Sequence, residues 1–198
     1  MPSTDDKIEQ KVNKLKPGAI VFTEDFQPLG SSGAVAVALH RMVKKGLLKT
    51  LARGIYTKPK FSELLGREVL PTTEEIAKAI AKRDKARIMP TGVYAQNILG
   101  LSTQIPLKLV YLTDGSPRKI TIGNRTIQFK KTTPKNLALK GAISKLVVQA
   151  LKEMGKGKAT DQELQKINEL LKKEDNKDLK HDIALAPQWI AEIMAQAL

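Results

Sequence analysis

Apolar and polar positions in the first 60 residues predict two main helices, a short strand and a hairpin. Residues 3–15 show a polar, helical pattern, and residues 19–22 form a short apolar run typical of a strand. Thr23 begins a brief helix that ends before Pro28, and a Leu-Gly-Ser-Ser turn follows. Over residues 33–45, apolar side chains recur at helical spacing until a glycine ends the helix.

Two strand-like runs, residues 47–51 and 55–58, come next. Arg53 and Gly54 supply the turn between them, and Pro59 ends the second run. The order helix, strand, short helix, turn, longer helix and hairpin is typical of a winged helix-turn-helix. We therefore predict a DNA-binding domain of this type over residues 1–60.

The middle segment, residues 61–136, has the mixed pattern of a small α/β domain. Residues 72–75 have capping-box spacing in front of a helix over residues 76–83. A strand and a second helix follow at residues 87–89 and 92–99. Three further strands are predicted at residues 107–112, 119–122 and 126–129. An antiparallel meander is their simplest arrangement.

The last segment, residues 137–198, has a helical pattern throughout. Pro187 should kink or restart the last helix, and Thr160 with Glu163 predicts another capping box. The predicted helices cover residues 137–154, 160–173 and 179–197. The whole chain is thus predicted to be α+β, with an N-terminal winged helix-turn-helix, a small α/β middle domain and a helical C-terminal region.

The net charge of +14 is concentrated in the first two thirds of the chain. Residues 1–60 carry an excess of six positive charges and residues 61–140 an excess of eight, whereas residues 141–198 are neutral. Cationic surfaces bind nucleic acid because phosphate neutralisation releases counterions. We therefore expect a polyanionic partner for the first 140 residues, with a merely solubilising surface as the alternative. The neutral last third should serve packing or protein contact.

Composition and motif spacing exclude several kinds of active site. The chain has no cysteine, which excludes disulfides and thiolate zinc sites. His40 and His181 have no partner at metal or triad spacing. Glu74, Glu75 and Asp114 are explained by helix starts and a turn. We expect no enzyme activity and no cofactor. Because the chain has no apolar run of about 18 residues and no secretory signal, we also expect a cytoplasmic location.

The helix over residues 33–45 is the predicted recognition helix. With Val35 facing the core, small side chains begin the opposite face and basic side chains end it: Ala34, Val37, Arg41 and Lys44, with His40 and Lys45 at the edges. Alanine and valine can contact thymine methyls, and the basic end suits guanine edges or phosphate. Ser31 and Ser32 stand where hydroxyl and N–H groups can bind a phosphate oxygen. Alternatively, Ser32 only caps the helix and the basic end is a solvated surface.

The hairpin supplies a second basic element. Lys49, Arg53 and Lys58 flank the turn at Gly54. Wings commonly lie along the backbone or the minor groove of DNA, and Arg53 is placed to insert there. In the alternative interpretation, Arg53 is only a turn residue.

Three stretches resemble a known family. They are LARGIYTKP at residues 51–59, GAIVFTEDF at 18–26 and ILGLSTQIPLKLVYLTDG at 98–115. Together they resemble the AbiEi-like antitoxins of type IV toxin–antitoxin systems, over about residues 10–140. The resemblance implies a winged-helix repressor of its own operon. It also implies a nucleotidyltransferase-like toxin, encoded nearby, that the antitoxin opposes without forming a stable complex.

The middle segment leaves alternatives open. Six basic residues there can form either a second basic surface or the polar face of a half-buried sheet: Lys108, Arg118, Lys119, Arg125, Lys130 and Lys131. Tyr94, Tyr111 and Phe129 are expected to pack in the core rather than to stack on bases. A basic RNA-binding or ribosome-associated module without an antitoxin role is the alternative function.

Overall fold

The structure, a computed structural model, describes residues 2–198. By its internal contacts the chain forms two compact units, one reaching Ala79 and including Thr121–Gly123, the other comprising Ile80–Ile120 and Asn124–Leu198. The mixed α+β class predicted from the sequence is confirmed. Whether the segments 1–60, 61–136 and 137–198 fold independently stays a prediction.

The N-terminal unit begins with the elements of a winged helix-turn-helix. They are α1 (Thr4–Asn13), β1 (Ile20–Phe22), a 3₁₀ helix (Thr23–Leu29), α2 (Ser32–Lys44), β2 (Lys49–Ala52) and β3 (Ile55–Thr57). β3 lies between β1 and β2 in an antiparallel sheet, with Phe22 opposite Ile55 and Thr50 opposite Tyr56. The order of elements and strands agrees with the predicted fold.

Local sequence explains where α1 and α2 begin. Ser3 caps α1, and its hydrogen bonds with Asp6 hold the pKa of that carboxyl below its ordinary value. Ser31, rather than Ser32, caps α2, because the Ala34 N–H donates to Ser31 Oγ over 3.4 Å. The apolar faces of both helices pack into one core, which includes Ile8, Val12, Phe26, Val35, Leu39, Met42 and Leu48.

A second hairpin, absent from the sequence-based expectations, follows the wing. β4 (Lys60–Ser62) and β5 (Arg67–Val69) form a separate two-stranded sheet in which Phe61 lies opposite Glu68. Most of its residues are exposed, so the alternation typical of a half-buried strand is missing. α3 (Thr73–Arg83) comes next, and the capping box predicted at residues 72–75 is confirmed by its hydrogen bonds.

A four-stranded sheet lies in the second unit, apart from the last two residues of β8. Its elements are β6 (Ile88–Pro90), α4 (Val93–Ile98), β7 (Lys108–Thr113), β8 (Arg118–Ile122) and β9 (Arg125–Lys131). The strand order is β6-β7-β9-β8, and β7 runs parallel to β9. The predicted antiparallel meander was wrong. β9 carries the buried Ile127 and Phe129 and takes the inner position, whereas β8 has no buried residue and takes the edge.

Helices complete the second unit. A 3₁₀ helix (Pro134–Leu137) precedes α5 (Ser144–Met154), α6 (Asp161–Leu171), α7 (Asn176–Leu185) and α8 (Gln188–Ala195). The helix expected over residues 137–154 thus begins later than predicted, and Pro187 restarts the last helix as predicted. Their apolar faces form one core with α4, which includes Leu99, Val147, Leu151, Ile167, Leu171, Leu179 and Ile190. Among residues 2–198, no helix has the length and apolar character needed to span a membrane.

Candidate nucleic-acid interface

One face of α2 is open to solvent. Gly33, Val37, His40 and Lys44 are exposed along it, and Val37 keeps 51% of its surface accessible. These positions are spaced by three or four residues, so they share one side of the helix. Within the described chain, neither His40 nor Lys44 takes part in an ion pair. This face therefore combines an exposed methyl-bearing side chain with unpaired basic groups.

Two of the predicted contact residues form ion pairs with α1, and their contact with DNA stays a prediction. Arg41 lies 3.1 Å from the Asp5 carboxylate, and Lys45 lies 2.6 Å from the Glu9 carboxylate. The hydrogen bond to Glu9 raises the pKa of Lys45 above its ordinary value. Ala34, on the same side of α2, is half-buried. Helical spacing from Val35 predicts the same solvent-facing side for Arg41 and Val37. Spacing within one helix cannot show that the carboxylates of α1 lie beside Arg41 and Lys45.

The start of α2 lies close to the start of α1. Ser31 and Ser32 are exposed, and the N–H groups of the first helical turn have no intrahelical partner. Gly30 permits the close approach, since a Cβ at this position would come within 2.6 Å of the Thr4 side chain. Because the Ala34 N–H donates to Ser31 Oγ, the groups that this end of α2 can offer a phosphate are the seryl hydroxyls and the N–H groups of Ser32 and Gly33.

Lys49 and Lys58, expected to flank the wing as DNA contacts, already have partners. Lys58 Nζ donates to the carbonyl oxygens of Asn13 and Leu15, each over 2.8 Å, where α1 ends. Lys49 forms an ion pair with Glu68 of β5. A cation at a helix C-terminus satisfies carbonyls that lack intrahelical donors. Lys58 therefore has a structural role in this fold.

Arg53 occupies the turn of the wing. It is exposed and belongs to no ion pair among residues 2–198. Gly54 has a φ of +73°, a left-handed conformation that side-chain-bearing residues rarely adopt. The Gly54 carbonyl accepts a hydrogen bond from the Thr23 N–H over 3.1 Å, so the turn is fixed against the start of the 3₁₀ helix.

Residues 7–179 match a known protein family, DUF6088, whose description is a family of unknown function. The chain belongs to the DUF6088 family. No curated protein matches it.

The basic residues in the second unit of the DUF6088 chain are dispersed. Arg118 forms an ion pair with Asp84, and its guanidinium lies 5.7 Å from the centre of the Phe129 ring. The other five are exposed: Lys108, Lys119, Arg125, Lys130 and Lys131. They are distributed over β7, β8 and β9, and the choice between a basic surface and a polar sheet face stays open.

Three aromatic residues of this unit are buried, as the sequence predicts. Tyr94, Tyr111 and Phe129 keep 8%, 1% and 3% of their surfaces exposed. Tyr94 meets Tyr111 edge-on with ring centres 5.7 Å apart, and Phe129 stacks on Tyr111 at 6.0 Å. These three rings therefore pack against each other in the core rather than offering a platform for bases.

A cleft of about 850 Å³ lies in the same unit. Lys108, Lys130 and Glu153 contribute charge to it, and the remaining walls are mostly apolar: Val93, Tyr94, Ile105, Pro106, Leu107, Val110 and Leu112. Much of the resembling stretch at residues 98–115 therefore builds this cleft. Its size and lining suit a small molecule or a short apolar chain segment.

A buried carboxylate organises the start of α5 in the DUF6088 chain. Asp182 is fully buried and accepts the N–H groups of Lys140 and Gly141 over 2.8 and 2.9 Å. It also accepts the Ser144 hydroxyl, and His181 Nδ1 lies 2.8 Å away. Burial alone would raise the pKa of Asp182, but the hydrogen bonds from Ser144, His181 and the two amides hold it below the ordinary value.

The grouping of serine, histidine and aspartate does not form a nucleophilic triad. Ser144 donates to the Asp182 carboxylate, whereas a triad needs the hydroxyl to face the imidazole. Glu174 accepts the Ile143 and Ser144 N–H groups over 2.5 and 2.9 Å and completes the cap. Within residues 2–198, no three or more His, Cys, Asp and Glu side chains gather to hold a metal ion.

Proposed function

We propose that the chain binds double-stranded operator DNA through α2 and the wing and represses its own operon. The open face of α2 carries this proposal. Val37 is exposed on a helix that is otherwise amphipathic, and His40 and Lys44 beside it belong to no ion pair in the described chain. The second helix of a helix-turn-helix is the one that enters the major groove. There an exposed valine can contact base edges, and unpaired basic groups can contact base edges or phosphates.

Two further features support duplex DNA as the ligand. Arg53 at the wing turn is exposed and has no carboxylate partner in residues 2–198, so its guanidinium is available to a minor groove or a phosphate. Ser31 and Ser32 begin α2 with accessible hydroxyls. The alternative, a single-stranded RNA binder, needs a platform of exposed rings; Tyr94, Tyr111 and Phe129 are buried, and the exposed Phe61 supplies a single ring.

The role of an antitoxin is the second part of the proposal. The LARGIYTKP wing and the stretch at residues 98–115 resemble the AbiEi-like antitoxins, which oppose a nucleotidyltransferase-like toxin encoded nearby. The chain would act beside the chromosome, in the cytoplasm. A growth-rescue assay tests this role: expression of the chain should restore growth of cells that express the neighbouring gene, and failure to restore growth would remove the antitoxin role while leaving DNA binding intact.

The DNA-binding part is tested by titration of the full chain against its own upstream promoter duplex at near-physiological salt. We expect binding at least about 1,000-fold tighter than to a scrambled duplex. Lys44→Ala and Arg53→Ala should each weaken binding, whereas Lys156→Ala removes the same charge from an exposed loop of the second unit and should have no effect. Equal, salt-sensitive affinity for both duplexes would contradict operator recognition.

A further inference from the structure

The hairpin β4–β5 exposes an unusual amount of apolar surface. Four of its large side chains are more than half accessible: Phe61 at 62%, Leu64 at 95%, Leu65 at 55% and the adjoining Leu70 at 56%. Single exposed apolar residues are ordinary, but a group in one short segment marks an interaction surface. We call these four residues the hairpin patch.

The hairpin is also incomplete as a sheet. β4 and β5 pair only with each other, so each leaves one edge without a strand partner. A two-stranded hairpin is marginally stable in water unless something packs against it. Its base is tied to the winged helix by the ion pair between Lys49 and Glu68. The hairpin patch therefore belongs to an anchored element that lacks a covering layer.

The charges around the patch indicate what covers it. Glu63 and Arg67 flank the tip residues Leu64 and Leu65, both are exposed, and neither forms an ion pair within residues 2–198. With Lys60 and Glu68, the hairpin exposes two basic and two acidic side chains, and such a mixture does not suit DNA, which is uniformly negative. A second copy of the hairpin, related by a two-fold axis, has Arg67 where it can face Glu63 of the first copy, and Glu63 where it can face Arg67. The patch is thus complementary in charge to a second copy of itself.

We propose that the hairpin patch is a homodimer interface, in which Glu63 of one copy pairs with Arg67 of a second copy around Leu64 and Leu65. The proposal goes beyond operator binding and does not depend on it, since the interface forms without DNA. If the chain also binds its operator, two winged helices joined in this way match an inverted repeat.

Sedimentation velocity of the full chain without DNA tests the interface. Between about 1 and 100 µM we expect a reversible monomer–dimer equilibrium. Leu64→Glu should weaken dimerisation at least about tenfold, and Ile105→Glu, at a residue that is 72% exposed in the second unit, should leave it unchanged. A monomer at every concentration, or a dimer insensitive to Leu64→Glu, overturns the proposal.

Reversing the charge at Glu63 or Arg67 distinguishes the loss of this contact from a general loss of folding. Glu63→Arg and Arg67→Glu should each weaken the dimer, because each creates like charges across the axis. An equimolar mixture of the two variants should recover a heterodimer, since every cross-axis pair is then of opposite sign. Absence of recovery overturns the Glu63–Arg67 pairing. None of these outcomes involves DNA, so they are independent of the promoter-duplex titration.

Discussion

The Arg41 guanidinium on α2 lies 3.1 Å from the Asp5 carboxylate on α1. The two side chains are 58% and 27% exposed, and an exposed pair of this kind contributes only about 0–1 kcal/mol to stability. Its larger effect is on charge at the candidate interface. Asp5 pairs with an arginine that the sequence predicts on the outer, candidate DNA-binding side of the helix.

Removing Asp5 should therefore strengthen the effect of Arg41 on DNA binding. We expect Arg41→Ala to weaken operator binding by about 1–3 kcal/mol if the guanidinium reads a base. The loss should be larger in an Asp5→Ala background, in which Arg41 has no competing carboxylate. A double-mutant cycle from DNA titrations measures the coupling. An unchanged affinity of Arg41→Ala in both backgrounds would remove this residue from the contact set.

Lys58 should matter for folding rather than for DNA. Its ammonium donates to the Asn13 and Leu15 carbonyls, each over 2.8 Å. Lys58→Met keeps most of the apolar stem but loses both bonds, so we expect a decrease of about 1–3 kcal/mol in the free energy of unfolding. Lys60→Met, at an exposed neighbour, is the matched control and should change stability by less than about 0.5 kcal/mol. Equal effects in urea denaturation would contradict the structural role.

Asp182 should make the second unit sensitive to acid. The folded state holds the pKa of Asp182 below its ordinary value of 3.8, so ionised Asp182 stabilises the fold above that pH. This contribution is lost as the pH falls through the folded-state pKa. We expect Asp182→Asn to lower the free energy of unfolding by about 1.5–3 kcal/mol at pH 7. The difference from wild type should shrink below about pH 4.

The exposed carboxylate of Glu192 on α8 provides the control for this pH series. Glu192→Gln should unfold like wild type at every pH. If Asp182→Asn and wild type differed by the same amount at pH 3 and pH 7, ionisation of Asp182 would not be the source of its stabilising effect.

The C-terminal helices should be indispensable for the fold of the second unit. Leu99, directly after α4, shares its core with Leu151 of α5 and Ile167 of α6. Leu151→Ala should cost about 2–5 kcal/mol, because the fully buried side chain leaves a cavity. A chain that ends at residue 140 should lose cooperative unfolding of this unit in calorimetry. A cooperative transition in that truncated chain would show that α5–α8 are dispensable.

Features governed by neighbours in sequence were predicted well. The capping boxes at Thr72–Glu75 and Thr160–Glu163 depend on residues three positions apart, and both are present. The helical period placed Val35, Leu39 and Met42 in the core, where they are. Deviations came where partners are distant: β9 rather than β8 pairs with β7, and the hairpin β4–β5 has no buried face that alternation could reveal.

The sequence by itself determined the order of elements in the winged helix-turn-helix, the capping boxes at residues 72–75 and 160–163 and the excess of basic charge in the first two thirds, because all three depend on local spacing or composition. Only the tertiary structure decided which basic residues are available to a ligand. Four of the predicted contact residues have partners in the fold: Arg41 pairs with Asp5, Lys45 with Glu9, Lys49 with Glu68, and Lys58 with carbonyls at the end of α1. Lys44 and Arg53 have no ion-pair partner in the described chain. A side chain's availability depends on groups that folding brings beside it from other elements, and no spacing along the chain contains that information.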